Sequence, residues 1–310
     1  MQSIKSRVIN GLIRHRHLFR GRLRRDVFTM DSSIQAFRDQ CEKTAAKLSH
    51  IPVGVRVEPA AMGGITAEWL RPAASPGDKA VLYAHGGGYV SGSCAGHRRF
   101  VAAFANALGF SALTYEYRLA PEHPYPAAVE DSVAVYRDML AHYRPEDILV
   151  AGESAGGGLV LALLLALRGA GLPLPCAAVA ISPWTDLTCS GPGYRTRNAR
   201  SVAPRDSWTV FANHYAAGAD RRDALMSPLF GDLAGLPPLL INAGADDELF
   251  DDGEAFARRA RKAGVDVTFR AGVGMIHCYP MLAPMFPEAT QAMDEISRFA
   301  RTHLLRGRAT

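Results

Sequence analysis

The chain has 310 residues, of which 48% are hydrophobic and 21% are charged, with a formal net charge of +5. This composition suits a large globular domain, and it excludes a disordered or collagen-like chain; no apolar run is long enough to predict a membrane span. The five cysteines are scattered without a C-x-x-C pair. Neither a disulfide framework nor a zinc site is therefore indicated, and a reducing cytoplasm is the expected compartment.

The positive charge is concentrated at the N-terminus. Residues 1–25 contain eight basic and no acidic residues, which leaves the rest of the chain with a balance of −3. A nucleic-acid-binding domain needs a basic face on its folded body, so no nucleic-acid partner is predicted. Arginine and histidine interrupt every apolar run of this arm, unlike in a secretory signal. We expect a solvated, partly helical extension, with attraction to a membrane surface as the alternative.

The elements that follow predict an α/β fold. Residues 31–49 have helical spacing, and residues 55–58 and 65–70 predict an antiparallel hairpin across Gly63-Gly64. Short apolar runs then alternate with helical patterns, which is typical of a parallel sheet covered on both faces. The further predicted strands are 80–84, 111–115, 148–151, 177–181, 239–242 and 265–270, which gives about eight in all. The further predicted helices are 98–108, 127–143, 155–168, 252–263 and 287–305.

Residues 184–225 interrupt this alternation. The stretch is rich in Gly, Arg, Pro and Trp, and only residues 205–215 have a helical pattern. It is longer than an ordinary connection in an α/β domain. Long insertions of this kind are often lids or binding elements.

Gly152-Glu153-Ser154-Ala155-Gly156 lies between a predicted strand and a predicted helix. This context is the one that the G-x-S-x-G nucleophile elbow requires, with the serine projecting from a tight turn above the sheet. A plain glycine-rich turn that holds a phosphate is the alternative.

His85-Gly86-Gly87-Gly88 directly follows the predicted strand 80–84. Acyl transfer places negative charge on a carbonyl oxygen, and backbone N–H groups aimed at that oxygen stabilise it. Three glycines allow the main chain to present its amides without side chains in the way, although a flexible turn would have the same residues. With the N–H of Ala155, this loop would complete an oxyanion hole.

A serine nucleophile also needs an acid and a base, in that order along the chain. The segment after strand 239–242 offers five carboxylates, at Asp246, Asp247, Glu248, Asp251 and Asp252. His277 is the only histidine between strand 265–270 and the last helix. A loop beyond the carboxyl end of a strand is where such a base would lie.

Taken together, these motifs resemble those of the bacterial hormone-sensitive-lipase-like family of α/β-hydrolase carboxylesterases. The resemblance covers roughly residues 50–305. It rests on RVEP at 56–59, HGGG at 85–88, YRLAPEHP at 117–124, GESAGGGL at 152–159, SPWTDL at 182–187, the acidic loop with Asp247, and His277.

The resemblance implies a serine carboxylesterase that hydrolyses short- to medium-chain acyl esters through an acyl-enzyme. The family's acidic pattern fits 247–253, which selects Asp247 as the acid that orients the base His277, with Ser154 as the nucleophile. Gly87, Gly88 and Ala155 would form the oxyanion hole. His85, Gly86 and Glu153 would support it. No metal or cofactor is implied.

The resemblance also implies a helical cap above the sheet. Residues 1–50 would form its N-terminal part, and an insertion at about 184–225 in a catalytic domain of residues 51–310 would form the rest. The candidate pocket residues are Tyr89, Trp184, Trp208, Phe211 and Tyr215. A homodimer through the edge strand 265–270 would be typical of the family.

Two residues depart from the family pattern. Glu153 stands where the largest subgroup has Asp, and Cys278 stands where a Gly usually follows the catalytic histidine. An amidase, lactonase or deacetylase with the same triad is an alternative reading. A non-catalytic small-molecule receptor of the same fold is another, but the presence of Ser154, Asp247 and His277 together argues against it.

Overall fold

The computed structural model describes residues 2–18, 27–47 and 50–306, and eight strands form one sheet within them. The sheet order is β1-β2-β4-β3-β5-β6-β7-β8. The strands are β1 (Val55–Met62), β2 (Ile65–Pro72), β3 (Ala80–Ala84), β4 (Ser111–Tyr115), β5 (Ile148–Glu153), β6 (Ala177–Ile181), β7 (Leu239–Gly244) and β8 (Val267–Gly272).

The strand pairing confirms the predicted α/β sheet. β1 and β2 form an antiparallel hairpin with Met62 opposite Ile65, and β2 pairs antiparallel with β4. The strands from β4 through β3, β5, β6 and β7 to β8 are all parallel. Every residue of β3 to β7 is buried, because helices cover both faces of the sheet.

The helices in the described residues are α1 (Ile4–Arg14), α2 (Ile34–Ala46), α3 (Cys94–Leu108), α4 (Ala127–Met139), α5 (Ala155–Gly169), α6 (Gly193–Thr196), α7 (Ser207–Ala216), α8 (Phe250–Lys262) and α9 (Pro287–Leu305). Of these, α3, α4, α5, α8 and α9 pack against strands of the sheet. None of the helices described is long and apolar enough to cross a bilayer.

The edge strand β8 begins two residues later than the sequence predicts, at Val267 instead of 265. The end of α8 explains the shift. Gly264 has a φ of +85°, and the N–H of Val265 donates to the carbonyl of Ala260 at 3.0 Å. Residues 264 and 265 therefore close the helix and cannot begin the strand.

Two helices precede the sheet in the chain. α1 lies in the basic arm, and the side chain of its N-cap Ser3 accepts a hydrogen bond from Ser6 N at 3.2 Å. α2 is the helix predicted at 31–49, of which residues 48 and 49 lie outside the described part of the chain, as do residues 19–26 of the arm. The division into a cap and a catalytic domain remains a prediction.

Candidate active site

Ser154 lies at the sharp turn between β5 and α5. Its backbone has φ 57° and ψ −123°, and its N–H donates to the carbonyl of Ile181 at 2.8 Å. A Cβ on Gly156 would lie 2.1 Å from the carbonyl oxygen of Ala84, so only glycine fits there. The turn thus has the tight, strained backbone of a nucleophile elbow.

Glu153 connects this elbow to the glycine loop after β3. One carboxylate oxygen of Glu153 accepts from Gly86 N at 2.6 Å, and the other accepts from the hydroxyl of Tyr83. Burial raises the pKa of Glu153, while His97, the Tyr83 hydroxyl and the Gly86 N–H oppose that rise. The residue before Ser154 therefore fixes the first amide of the loop in which the oxyanion donors were predicted.

Gly87 and Gly88 adopt backbone conformations that other residues rarely take, with φ of +125° and +66°. A Cβ on Gly87 would lie 2.0 Å from the carbonyl oxygen of Ser91, and one on Gly88 would lie 2.5 Å from the ring of Phe211. The atom that a side chain at Gly87 would meet belongs to the backbone, whereas the ring that one at Gly88 would meet is a side chain of α7. The loop is therefore held between its own turn and the 184–225 insertion.

His85 lies beneath this loop and stays neutral. Its ring stacks on those of His97 and Tyr117, at 5.0 and 4.3 Å between centroids. Burial, together with the nearby His97, lowers the pKa of His85 to about 3. The hydroxyl of Tyr117 donates to the backbone carbonyl of His85 at 2.7 Å. The buried side chain of Tyr117 therefore holds the start of the loop from inside the core.

His277 and Asp247 are paired, as the sequence predicts for the base and the acid. Nδ1 of His277 lies 2.7 Å from Oδ2 of Asp247, and Leu249 N donates to Oδ1 at 3.1 Å. Burial lowers the pKa of His277, but the Asp247 carboxylate and the neighbouring Cys278 together more than offset this effect, and the pKa lies well above its ordinary value. Because a carboxylate can only accept a hydrogen bond, Nδ1 of His277 carries a proton. Nε2 is therefore the ring nitrogen that can exchange a proton with another group.

The loop of His277 and the elbow of Ser154 are both bonded to the end of β6. Ser154 N donates to Ile181, while Cys278 N donates to the hydroxyl of Ser182 at 3.0 Å. These two acceptors are adjacent in the chain. The nucleophile and base loops are therefore both held by the end of β6. The sequence indicated Ser182 only as part of a family motif.

Cys278 has a φ of +52°, in the left-handed region that favours glycine. This geometry accounts for the glycine that the family usually has after the histidine. Burial raises the pKa of the Cys278 thiol, with His277 opposing it.

The other carboxylates of the acidic loop hold neighbouring segments together. Asp252 accepts from the backbone N–H groups of Thr185 and Asp186, at 3.2 and 3.0 Å. Asp251 pairs with Arg197 at 2.7 Å. Glu248 is buried and accepts from Nε1 of Trp208 at 2.6 Å. These three carboxylates therefore connect the acidic loop to the 184–225 insertion.

The five candidate pocket aromatics are all buried and lie in two groups. Trp208 and Phe211 contact the predicted machinery: the indole of Trp208 lies edge-on to His277, 5.5 Å between centroids, and Phe211 covers Gly88. Tyr89 and Tyr215 stack on each other at 4.0 Å, and Trp184 packs edge-on against Trp208 at 5.1 Å. Tyr89 also lies 6.0 Å from Trp184 between ring centroids, so these three rings pack together.

A cavity of about 700 Å³ lies between the N-terminal segments and the glycine loop. None of the five aromatics lines it. Its walls include Phe28, Phe37, Gly87 and Leu282, together with Arg14 at the end of α1. The rings of Phe28 and Phe37 each lie 5.2 Å from the ring of Phe211, between centroids, so two wall residues of the cavity contact one of the candidate pocket residues. Phe37 lies in the helix predicted at 31–49, for which no site residue was predicted.

Arg38 of α2 fixes one wall of this cavity on the body. Its guanidinium donates to the carbonyls of Val90 and Ala120, at 2.7 and 2.9 Å, and binds both oxygens of Glu122. The sequence does not predict this role of Arg38, because an arginine on a helix gives no spacing signal. Its partners belong to the loop after β3 and to the YRLAPEHP motif.

α1 binds both loops that carry the acid and the base. Asn10 Nδ2 and Gln2 Nε2 donate to the carbonyl of Gly274, three residues before His277, at 3.1 and 3.2 Å. Arg14 pairs with Asp246, next to Asp247, at 2.5 Å. Part of the basic arm thus acts as a brace behind the paired residues, which no sequence signal indicated.

Comparison with known proteins agrees with this architecture. The chain matches a family model described as an alpha/beta hydrolase fold over residues 81–281. It is 46% identical over 243 residues to an acetyl-hydrolase of Streptomyces hygroscopicus, covering 78% of this chain and 81% of that protein. The crystal structure of an esterase/lipase from an uncultured bacterium is similar, with a TM-score of 0.90, 37% identity and coverage of 98% of this chain and 100% of that one.

A second crystal structure, of an esterase from the bacterial hormone-sensitive lipase family, has a TM-score of 0.89 and 37% identity. The match covers 98% of this chain and 99% of that chain. Among residues 2–18, 27–47 and 50–306, no group of three or more His, Cys, Asp and Glu side chains is arranged to hold a metal ion.

Proposed function

The chain belongs to the bacterial hormone-sensitive-lipase-like family of α/β-hydrolase carboxylesterases and hydrolyses carboxylic esters, and from this premise we propose that Ser154, His277 and Asp247 are its catalytic triad. The 2.7 Å contact between Nδ1 of His277 and Asp247 is the observation that carries the proposal. It leaves Nε2 as the nitrogen that takes a proton from Ser154.

In the proposed reaction the hydroxyl oxygen of Ser154 attacks the ester carbonyl carbon and its proton passes to Nε2 of His277. The tetrahedral intermediate collapses as the carbon–oxygen bond to the alcohol breaks, and His277 returns the proton to the leaving oxygen. Water then attacks the acyl-enzyme by the same steps and releases the carboxylic acid. Asp247 stabilises the imidazolium that forms twice in each cycle.

The negative charge of each intermediate would be bound by the N–H groups of Gly87, Gly88 and Ala155. The conformation of the two glycines supports this role, because a side chain at either position would meet Ser91 or Phe211. Glu153, Gly86 and His85 would hold the loop from below. Each lost donor would cost about 3–4 kcal/mol in the barrier.

Short- to medium-chain acyl esters are the substrates that we propose. The apolar walls at Phe28 and Phe37 reach from the cavity to Phe211 above the glycine loop, which supports an acyl or alcohol group held between the N-terminal segments and the body. The name of the Streptomyces relative, acetyl-hydrolase, favours the short end of this range. A p-nitrophenyl ester series of increasing acyl length, read as kcat/KM, tests the preference.

Replacing the nucleophile tests the triad. We expect Ser154→Ala to lower kcat on p-nitrophenyl acetate by about four to six orders of magnitude. The native protein should bind one organophosphate per chain and the variant none, as measured by mass spectrometry. Full activity in the variant would exclude Ser154 as the nucleophile. A native protein that takes up no organophosphate would instead favour the receptor reading.

The remaining proposals concern organisation. Residues 1–50 and about 184–225 would form a cap over the catalytic domain, supported by the meeting of Phe28, Phe37 and Phe211. A homodimer through β8 is supported by its position at the edge of the sheet. Five unpaired cysteines support a reducing cytoplasm as the compartment.

A further inference from the structure

α1 has an apolar row on its outer face, although Ile9 and Ile13 on its inner face pack against a hydrophobic cluster of the body. Ile4, Val8 and Leu12 form one row at a spacing of four residues, and 79%, 56% and 51% of their surfaces are exposed. The buried residues of the helix are the polar Ser6 and Asn10. The helix therefore carries a second apolar row that the body does not cover, and a contiguous exposed row of this kind marks an interaction surface.

The polar residues that face the body explain the orientation of α1. Ser6 Oγ donates to Glu288 at 3.0 Å, and Asn10 donates to the carbonyl of Gly274. Rotating α1 to bury the apolar row would break these bonds and leave Glu288 and Gly274 without them. The apolar row is therefore fixed outward by the hydrogen bonds of the opposite face.

The charges beside the apolar row identify the kind of partner. On the helix, exposed Lys5 and Arg7 lie on either side of the row, and no acidic residue occurs in residues 1–25. The sequence adds four arginines in residues 20–25. A second copy of the chain on this face would bring the same cations together, which disfavours self-association. A lipid bilayer with anionic headgroups above apolar acyl chains matches both the apolar row and the cations beside it.

We propose that α1 docks on an anionic lipid bilayer through Ile4, Val8 and Leu12, with Lys5 and Arg7 at the headgroups. The helix would lie in the plane of the interface, its apolar row in the boundary of the acyl chains. Arg14, at the end of the same helix, lines the cavity that reaches Gly87. Docking would therefore hold the part of the cavity wall that Arg14 forms close to the lipid. The proposal concerns binding, and it does not depend on the triad.

Co-sedimentation with vesicles tests the docking. The full-length protein is mixed with phosphatidylcholine vesicles with and without phosphatidylglycerol, at low and high salt. We expect binding to the anionic vesicles that salt weakens. Ile4→Ser/Val8→Ser/Leu12→Ser should reduce the partition coefficient by about tenfold or more, because the apolar contact is lost. Lys5→Gln/Arg7→Gln should reduce it by about fivefold per charge at low salt.

Matched variants elsewhere on the surface are the controls. Val53→Ser/Leu305→Ser removes two exposed apolar side chains, and Arg137→Gln/Lys262→Gln removes two exposed cations from other helices. Both controls should bind anionic vesicles as the native protein does. Circular dichroism and hydrolysis of soluble p-nitrophenyl acetate are measured on all variants, and both should match the native values.

The outcomes separate this proposal from the proposed function. Equal binding to neutral and anionic vesicles, or unchanged binding of the α1 variants, would overturn it. So would a native dimer that becomes monomeric in the Ile4/Val8/Leu12 variant without vesicle binding, because a second copy would then be the occupant. Ser154→Ala should bind vesicles normally while losing hydrolysis, so failure of the triad leaves the docking result readable.

Discussion

The catalytic body and the N-terminal segments contribute to the same site in different ways. The body supplies the elbow, the glycine loop and the His277–Asp247 pair, each beyond the carboxyl end of a strand of the sheet. The N-terminal segments supply Phe28 and Phe37 to the cavity wall and brace the acid and base loops from behind. Backbone geometry dominates in the body, whereas single side chains act in the N-terminal part.

This difference predicts where substitutions should lower the activity most. In the body a change at one position disturbs the reacting groups or the path of the main chain around them. In the N-terminal part a change removes one of several contacts to a loop that the sheet still holds. Losses should therefore be large in the body and moderate in the N-terminal part, and the predictions below run in that order.

After Ser154→Ala, the largest effect is expected for Asp247→Asn. The amide can donate to Nδ1 of His277 and so favour the wrong tautomer, and kcat should fall by about 10⁴-fold. The carboxylate raises the pKa of His277, so the neutral base of the native protein is lost as pH falls through that raised value. In the variant this limb of the kcat/KM–pH profile should move to lower pH. An unmoved limb would mean that another group sets it.

Gly88→Ala tests the boundary between the body and the insertion. The added methyl group would meet the ring of Phe211, and kcat should fall by about a hundred- to a thousandfold if the loop amide is displaced. Adding Phe211→Ala removes the obstacle and should restore part of the activity.

Gly87→Ala is the matched control for that experiment, because its methyl group would meet the backbone of Ser91. Adding Phe211→Ala to it should restore nothing. Equal rescue of both glycine variants would show that Phe211 acts on the site in some way other than by contact with Gly88. Steady-state kinetics on p-nitrophenyl acetate measure all four variants.

The sequence predicted the body well because its constraints are local. A glycine at 156 and a serine at 154 are both required by one tight turn, and the strand and helix beside them are visible as apolar patterns. The pairing of Arg14 with Asp246 joins residues 232 positions apart, and no periodicity of the sequence predicts such a contact. For the same reason the sequence did not predict that Phe28 lines the cavity. Asp247 itself was chosen among five carboxylates only through the family pattern.

A moderate effect is expected for Arg14→Gln, which removes one of the braces on the acid loop. Arg14 is mostly buried and Arg200 is mostly exposed, although each binds an oxygen of Asp246. We expect kcat to fall by about tenfold in Arg14→Gln, with KM changed less than twofold, because the acid is misplaced and the substrate is not. Arg200→Gln should change kcat less than twofold, since exposed ion pairs contribute little. Equal losses would mean that both arginines act only through the charge of Asp246.

The smallest effect is expected for Cys278→Gly, which restores the residue usual in the family. Glycine relieves a left-handed backbone conformation worth about 1 kcal/mol. Against this, it removes a buried thiol and gives the unfolded chain more freedom, each costing about 1 kcal/mol. The bond from the backbone N–H of residue 278 to Ser182 is unaffected.

These opposing terms leave the free energy of unfolding of Cys278→Gly within about 1 kcal/mol of the native value, and kcat within about twofold. Urea unfolding and steady-state kinetics measure the two quantities. Cys278→Ala separates the terms, because it loses the sulfur but keeps the left-handed strain, and it should be the less stable of the two variants if strain dominates. A large loss of kcat in both would instead assign the sulfur a direct part in positioning His277, and would place a single side chain among the determinants of the body.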